Sequence, residues 1–192
     1  MSDAEPVRTN HPPLIWIDLE MSGLDPEKCV ILEIACIVTD GDLVEQGEGV
    51  DLVVKQPDAA LDAMDDWCTR HHGQSGLTAA VKASTLTLRE AELRTLEYLR
   101  RFTNKGQSPL CGSSVSHDRR FIDKYMPDLS AWLHYRTVDV STVKELVKRW
   151  YPRLATSMTR KPGTHRALDD IRNSIEELRY YRTKILVPPE IV

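Results

Sequence analysis

Two carboxylates stand one residue apart at the end of an apolar run: Asp18 and Glu20 in "LIWIDLEMSGLD". Residues two apart in a strand point to the same face, which puts both carboxylates on one side with Cα atoms roughly 6–7 Å apart. Left alone they would repel and raise each other's pKa. A hard divalent cation removes the conflict, since Mg2+ takes carboxylate oxygens and keeps water positions open for phosphates. The plainer use of D-x-E is a solvated strand end or an ion pair. Two further segments favour the metal: Asp118 follows "PLCGSSVSH", and "THRALDD" carries His165, Asp169 and Asp170. Four carboxylates and an imidazole suit two-metal phosphodiester hydrolysis, in which the attacking water is activated and the leaving oxygen stabilised. His165 is the general base of that set, because an imidazole ordinarily titrates near neutrality.

The choice between Asp169 and Asp170 follows from helix geometry. At about 100° per residue, Leu168, Ile171, Ile175 and Leu178 define a packed face. Asp169 falls opposite it, toward solvent, while Asp170 lies on its flank and can reach a sheet edge. His165 falls on the other flank, which places it on the loop before the helix proper.

The elements that must position these groups are legible in outline. "LIWIDL" reads as a strand, Val30–Asp40 as a second, and the more polar Leu43–Val54 as an edge strand. Asp40-Gly41 marks a hairpin between the last two. Short helices and loops follow from Asp58. Thr87-Leu88-Arg89-Glu90 is a capping box opening a helix to about Phe102. "SPLCGSSV" is a fourth strand, "HDRRFIDKYMP" a helix stopped by Pro127, "YRTVDVS" a fifth strand and "TVKELVKRWYP" a helix ended before Pro152. A basic loop, "RLATSMTRKPG", precedes the last long helix, "THRALDDIRNSIEELRYYR". Three strands followed by alternating units make an α/β fold: a mixed five-stranded sheet with helices on both faces and the first strand in the middle. Ligands gather at the carboxyl ends of strands in such sheets, where Asp18 and Glu20 stand.

The bulk composition bounds the function. The 192 residues suit one domain. Residues 1–12 read as a disordered lead-in without a signal or transit pattern, 13–183 as the domain and 184–192 as a tail. No run approaches a membrane span. Cys29, Cys36, Cys68 and Cys111 lack C-x-x-C spacing, which points to reduced thiols in a cytosol-like compartment. The net charge is −4. A protein gripping long nucleic acid needs a broad basic surface, so any nucleic-acid substrate is short or held locally.

The segments "WIDLEMSGLD", "WCTRHHGQSGL", "DRRFIDKYMP", "HYRTVDVSTVKEL" and "HRALDDIRNSIEELRYYR" resemble, in order, those of the oligoribonucleases within the DEDDh 3′→5′ exonucleases. The resemblance spans about residues 14–182. It implies an RNase H-like fold, a homodimer, and two divalent ions, Mg2+ or Mn2+. It implies release of nucleoside 5′-monophosphates from the 3′ end of very short RNAs, down to dinucleotides, in the cytoplasm, and in mitochondria as well for a eukaryotic source. By similarity Asp18, Glu20, Asp118 and Asp170 hold the metals and His165 activates water. Leu24 wedges against the bases beside Trp67, His72 lines the substrate, and Tyr135 is supplied by the partner subunit. Ser114, Arg136 and Ser141 form a cap on the substrate's 5′ phosphate. A closed cap admits few nucleotides, which suits the absence of a basic excess, and aromatics stack on any base. Ser22 stands where Thr is common, Ser113 where Asn is, and Ser116-His117 before Asp118 where other residues are usual. From residue type alone Trp67 is a half-buried aromatic, Tyr135 strand packing, Arg136 half of a surface ion pair, and His71-His72 and His117 solvated helix ends. "RWYP" and "RYYR" read as packing or dimer surface.

Overall fold

Strand β1 (Leu14–Met21) alternates strictly between the two faces of the sheet, and this alternation positions the site. The computed structural model describes residues 11–155 and 166–186. Ile15, Ile17 and Leu19 point into one core, and Trp16 points into another. Asp18 and Glu20 share the parity of Trp16 and therefore its face.

β2 (Ile31–Thr39) is buried along its whole length and pairs antiparallel with β1, with Asp18 opposite Ala35 and Glu20 opposite Glu33. β3 (Val50–Val53) pairs antiparallel with β2 at one edge. β4 (Leu110–Gly112) and β5 (Thr137–Asp139) add to the other side of β1 in parallel. The order β3-β2-β1-β4-β5 puts β1 in the centre of a mixed sheet, as the sequence pattern requires.

Helices cover both faces. The first core packs α4 (Leu88–Arg100), α5 (Ser116–Tyr125) and α6 (Pro127–Trp132) against the sheet. The second packs α7 (Val140–Trp150) and α9 (Ala167–Lys184) through Val140, Val147, Ile171 and Ile175. A smaller cluster of Leu32, Leu61, Leu77 and Val81 joins β2 to α1 (Asp58–Asp62) and α3 (Leu77–Ala83). Between these two lies α2 (Asp66–Gln74), and a short α8 (Pro152–Ala155) follows α7.

Three expectations are corrected. β3 is four residues rather than the stretch Leu43–Val54, apart from an isolated bridge between Thr39 and Glu45. The Asp40 carboxylate accepts the N–H groups of Asp42 and Val44, and Gly47 and Gly49 adopt positive φ, so the ladder is broken before Val50. Pro127 ends one helix but also opens α6 as its first residue, where its missing N–H is no loss. The last helix begins at Ala167, not Thr164. Most of the basic loop lies outside the described residues, as do His165, residues 1–10 and residues 187–192.

The capping box at Thr87 is present in both directions. Two residues beyond its Glu90, the buried Glu92 accepts the N–H groups of Asp128 and Leu129 at 2.8 and 3.0 Å, capping α6 from outside, and is held by Arg89. Glu92→Ala leaves two helix N–H groups without that acceptor, and the unfolding free energy in urea is expected to fall by about 2–4 kcal/mol. A loss below about 0.5 kcal/mol, the scale of an ordinary surface change, would show that the cap carries no weight.

Candidate active site

Asp18, Glu20 and Asp170 converge. One carboxylate oxygen from each lies within 4.8 Å of the others, and all three side chains are partly buried. β1 supplies the first two on the face covered by α9. Ala167 and Ile171 of α9 pack on that face, which carries Asp170 inward while Asp169 stays exposed. In "LDD" it is thus the second aspartate that turns toward the sheet.

Asp118 arrives from the other layer, on the first turn of α5. Its Oδ1 accepts the Leu19 N–H at 3.0 Å, pinning it to the strand between Asp18 and Glu20. It stands beside the close trio rather than within it. Burial raises the Asp18 carboxyl well above its ordinary range, and the charges of Asp118, Glu20 and Asp170 raise it further. Burial, then the charges of Asp170, Glu33 and Asp118, push Glu20 to about 8. Burial pushes Asp118 to about 7, against the Leu19 hydrogen bond, which lowers it. A cluster that resists its own ionisation and offers only hard oxygen ligands fits a divalent cation.

Beside the trio opens a cavity of about 520 Å3, lined by Glu20, Gly23, Leu24, Trp67, Cys68 and His72 among others. Leu24 is 62% exposed and Trp67 52% exposed, so Trp67 is half-buried with the rest of its surface open at the cavity. Trp67 stacks on His71 with ring centroids 3.9 Å apart. A Cβ on Gly23 would lie 2.7 Å from the Cys29 Sγ, so a side chain there requires the thiol to move. His72 is not a solvated helix end. It is 2% exposed, its Nε2 donates to the Met21 carbonyl at 2.9 Å, and its Nδ1 lies 3.8 Å from Glu20 Oε2.

A second group of polar residues gathers where β4 and β5 end. Ser114 Oγ and Ser141 Oγ are 3.2 Å apart. Asp139 Oδ1 accepts both backbone N–H groups, from Ser114 at 3.0 Å and Ser141 at 2.8 Å. Ser114 holds φ at 58°, a left-handed conformation costly for a side-chain-bearing residue and kept by these bonds. The Ser113 hydroxyl turns instead to Ser174 on α9, at 2.8 Å. Ser22 keeps a hydroxyl that accepts the Val30 N–H. Arg136 places its guanidinium 5.3 Å from the centre of the Tyr135 ring, and Tyr135 is 76% exposed rather than packed into the sheet. His117 is half-buried on α5, not a solvated helix end, and is not in the close trio.

Three contributors escaped the motif reading. Asp139 reads as strand end but caps α7 and ties Ser114 to Ser141. Glu33, fully buried, forms an ion pair with Arg166 at the start of α9. The signal for Glu33 was a lone carboxylate inside "ILEIACIVT", an otherwise uncharged strand that is fully buried. For Arg166 nothing beyond its position next to His165 marked it.

The Exonuclease family model matches residues 15–178. Human mitochondrial oligoribonuclease is 55% identical over 172 residues, 90% of this chain and 73% of that protein. Oligoribonucleases of Marinobacter nauticus and Escherichia coli K12 are 57% and 56% identical over 169 residues, 88% of this chain and 93% of each of those proteins. The chain belongs to the oligoribonuclease family of exonucleases. Exonuclease I from Methylocaldum szegediense superposes with a TM-score of 0.65 at 20% identity, over 91% of this chain and 41% of that one. E. coli exonuclease I in complex with single-stranded DNA gives 0.69 at 15% identity, over 92% of this chain and 41% of that one. Those two likenesses show the shared RNase H-like exonuclease fold. Family members therefore occur both in bacteria and, by name, in mitochondria. All four cysteines of this chain are free thiols, and among the described residues no helix is long and apolar enough to cross a membrane.

Proposed function

We propose that this oligoribonuclease-family enzyme is a 3′→5′ exoribonuclease of very short RNAs, dinucleotides above all, in the cytoplasm and, in a eukaryotic source, also in mitochondria. The observation that carries the reading is the close grouping of Asp18, Glu20 and Asp170 oxygens with Asp118 against the same strand. Asp18, Glu20, Asp118 and Asp170 would hold two divalent ions, Mg2+ or Mn2+. When bound, such ions supply Lewis-acid stabilisation of phosphoryl charge and lower the pKa of the attacking water.

The chain's own groups do the rest. His165 takes the proton as the water oxygen bonds to phosphorus. The P–O3′ bond breaks and O3′ takes a proton from solvent, releasing a nucleoside 5′-monophosphate and a 3′ hydroxyl on the shortened chain. Leu24 and Trp67 bracket the terminal bases, and their apolar faces accept any base. His72 forms the floor of the cavity, behind Glu20. Ser114, Ser141 and Arg136 bind the 5′ phosphate through hydroxyls and a guanidinium. A partner subunit supplies Tyr135, whose exposure in the single chain supports that use. A cap that holds the 5′ phosphate limits length, in keeping with the net charge of −4.

A ladder of 5′-phosphorylated RNA from two nucleotides upward tests the reading. The dinucleotide is expected to be hydrolysed fastest, with rates falling as length grows, and only with Mg2+ or Mn2+ present. Asp18→Ala is expected to abolish hydrolysis. Preference for long strands, or undiminished cleavage by Asp18→Ala, would overturn it.

A further inference from the structure

Arg166 is the N-cap residue of helix α9, and its own side chain makes no capping hydrogen bond. The cap comes from the sheet instead. Glu33 of β2, fully buried, accepts the Ala167 N–H on Oε2 at 3.1 Å. Its Oε1 accepts the Arg166 Nε at 2.8 Å and the Nη2 as well. Both oxygens of one carboxylate are thus spent on two successive residues. Asp51 of β3 adds a looser contact to Arg166 Nη2 at 4.0 Å.

The position of this pair matters more than its strength. Glu33 is the cross-strand partner of Glu20. Arg166 is flanked in sequence by His165 on one side and, one helical turn later, by Asp170. A shift of the α9 start would carry Asp170 away from Asp18 and Glu20. A buried ion pair is weak evidence of stabilisation, because desolvation offsets its Coulomb attraction. This geometry has a different use, fixing a register.

We infer, resting on the metal-centre reading above, that Glu33 and Arg166 are positioning residues that clamp the first turn of α9 to β2 and set Asp170 against Asp18 and Glu20. The pair acts through Asp170. Arg suits this place better than Lys, because a guanidinium presents two donors to the same carboxylate oxygen in a fixed plane. The Arg166 charge also partly offsets the crowding of negative charge around Glu20.

The test is Mn2+ binding to the purified full-length protein, measured by titration calorimetry without substrate, beside a urea midpoint for each variant. Arg166→Met alone leaves Glu33 buried and without its cation, a change that can abolish folding by itself. The double variant Glu33→Gln with Arg166→Met removes both charges of the pair, and Arg166→Lys is the mild control. The double variant is expected to lose about 10–100-fold in Mn2+ affinity. Arg166→Lys is expected to fall between it and the wild type. On a dinucleotide, kcat is expected to fall with KM within about threefold, since base and phosphate contacts lie elsewhere. A pair that only stabilises the fold would lower the urea midpoint and leave Mn2+ affinity within about threefold of wild type, and that result overturns the inference. If the wild type itself shows no Mn2+ binding that Asp18→Asn removes, the metal-centre reading fails, and this inference with it.

Discussion

Asp170→Asn is expected to reduce dinucleotide hydrolysis by about 10³-fold, roughly 4 kcal/mol of transition-state stabilisation, while its neighbour Asp169→Asn stays within about threefold of wild type. The two residues carry the same side chain on consecutive positions, so residue type cannot separate them. Helix geometry does. Asp170 offers an oxygen within 4.8 Å of Asp18 and Glu20, and Asp169 is exposed. An amide in place of the Asp170 carboxylate keeps size and shape but removes the charge and one of the two carboxylate oxygens. Calorimetry with Mn2+ should show the same ranking as kcat: weakened binding for Asp170→Asn, near-normal binding for Asp169→Asn. The folded state is not at stake, since Asn in place of Asp170 relieves repulsion that the metal-free cluster suffers. Equal loss in both variants, or the reverse order, would show that α9 presents a different face to the sheet.

That outcome bears on what the sequence can carry. The period of two in "LIWIDLE" placed Asp18 and Glu20 on one face, and the stripe Leu168-Ile171-Ile175 turned Asp170 toward it. Both are local regularities, read from a few residues. The pairing of β2 with β3 followed from the short connection at Asp40-Gly41, and the central place of β1 from its apolar body; the order of β4 and β5 did not. What stayed hidden depends on contacts between distant segments. Asp139 gives no sign in "TVDVST" that it will accept two N–H groups from positions 27 residues apart. Glu33 was visible as an anomaly, a charge in a buried strand, but its partner is 133 residues away. The shortened β3 has a local cause after all: Asp40 folding back on Asp42 and Val44, with Gly47 and Gly49 in left-handed backbone. Leu24, Trp67 and Tyr135 are large apolar or aromatic residues left substantially exposed, a departure from the usual partition that only the folded chain reveals.

The metal-free protein is expected to lose stability as pH rises from about 5 to 8, and divalent metal to reverse the trend. Asp18, Glu20 and Asp118 are all held above the ordinary carboxylate range, Asp118 at about 7 and Glu20 at about 8. Between about pH 4 and 8 the native state therefore keeps protons that the unfolded chain has released. Stability falls with pH wherever the native state binds more protons. Below about pH 4 both states are protonated and the penalty disappears. Carboxylates held low, such as Glu145 at about 2 between Lys148 and Arg149, act in the opposite sense but only below their unfolded range. The window from about pH 5 to 8 thus separates the raised carboxylates from those held low. A tenfold change in a group's proton affinity is worth about 1.4 kcal/mol, and a chain of this size moves roughly 2–4 °C per kcal/mol. The metal-free Tm is expected to drop by at least about 5–10 °C across the window. Saturating Mn2+ or Mg2+ favours the ionised cluster, so its stabilisation should be several-fold larger at the upper end of the window than at the lower. Glu20→Gln removes one of the raised groups and should flatten the metal-free profile, which ties the slope to the cluster. A metal-free Tm that rises across the window, or a metal effect equal at both ends, would mean that these carboxylates are not crowded in solution. Asp18, Glu20 and Asp118 would then need another partner to explain their burial.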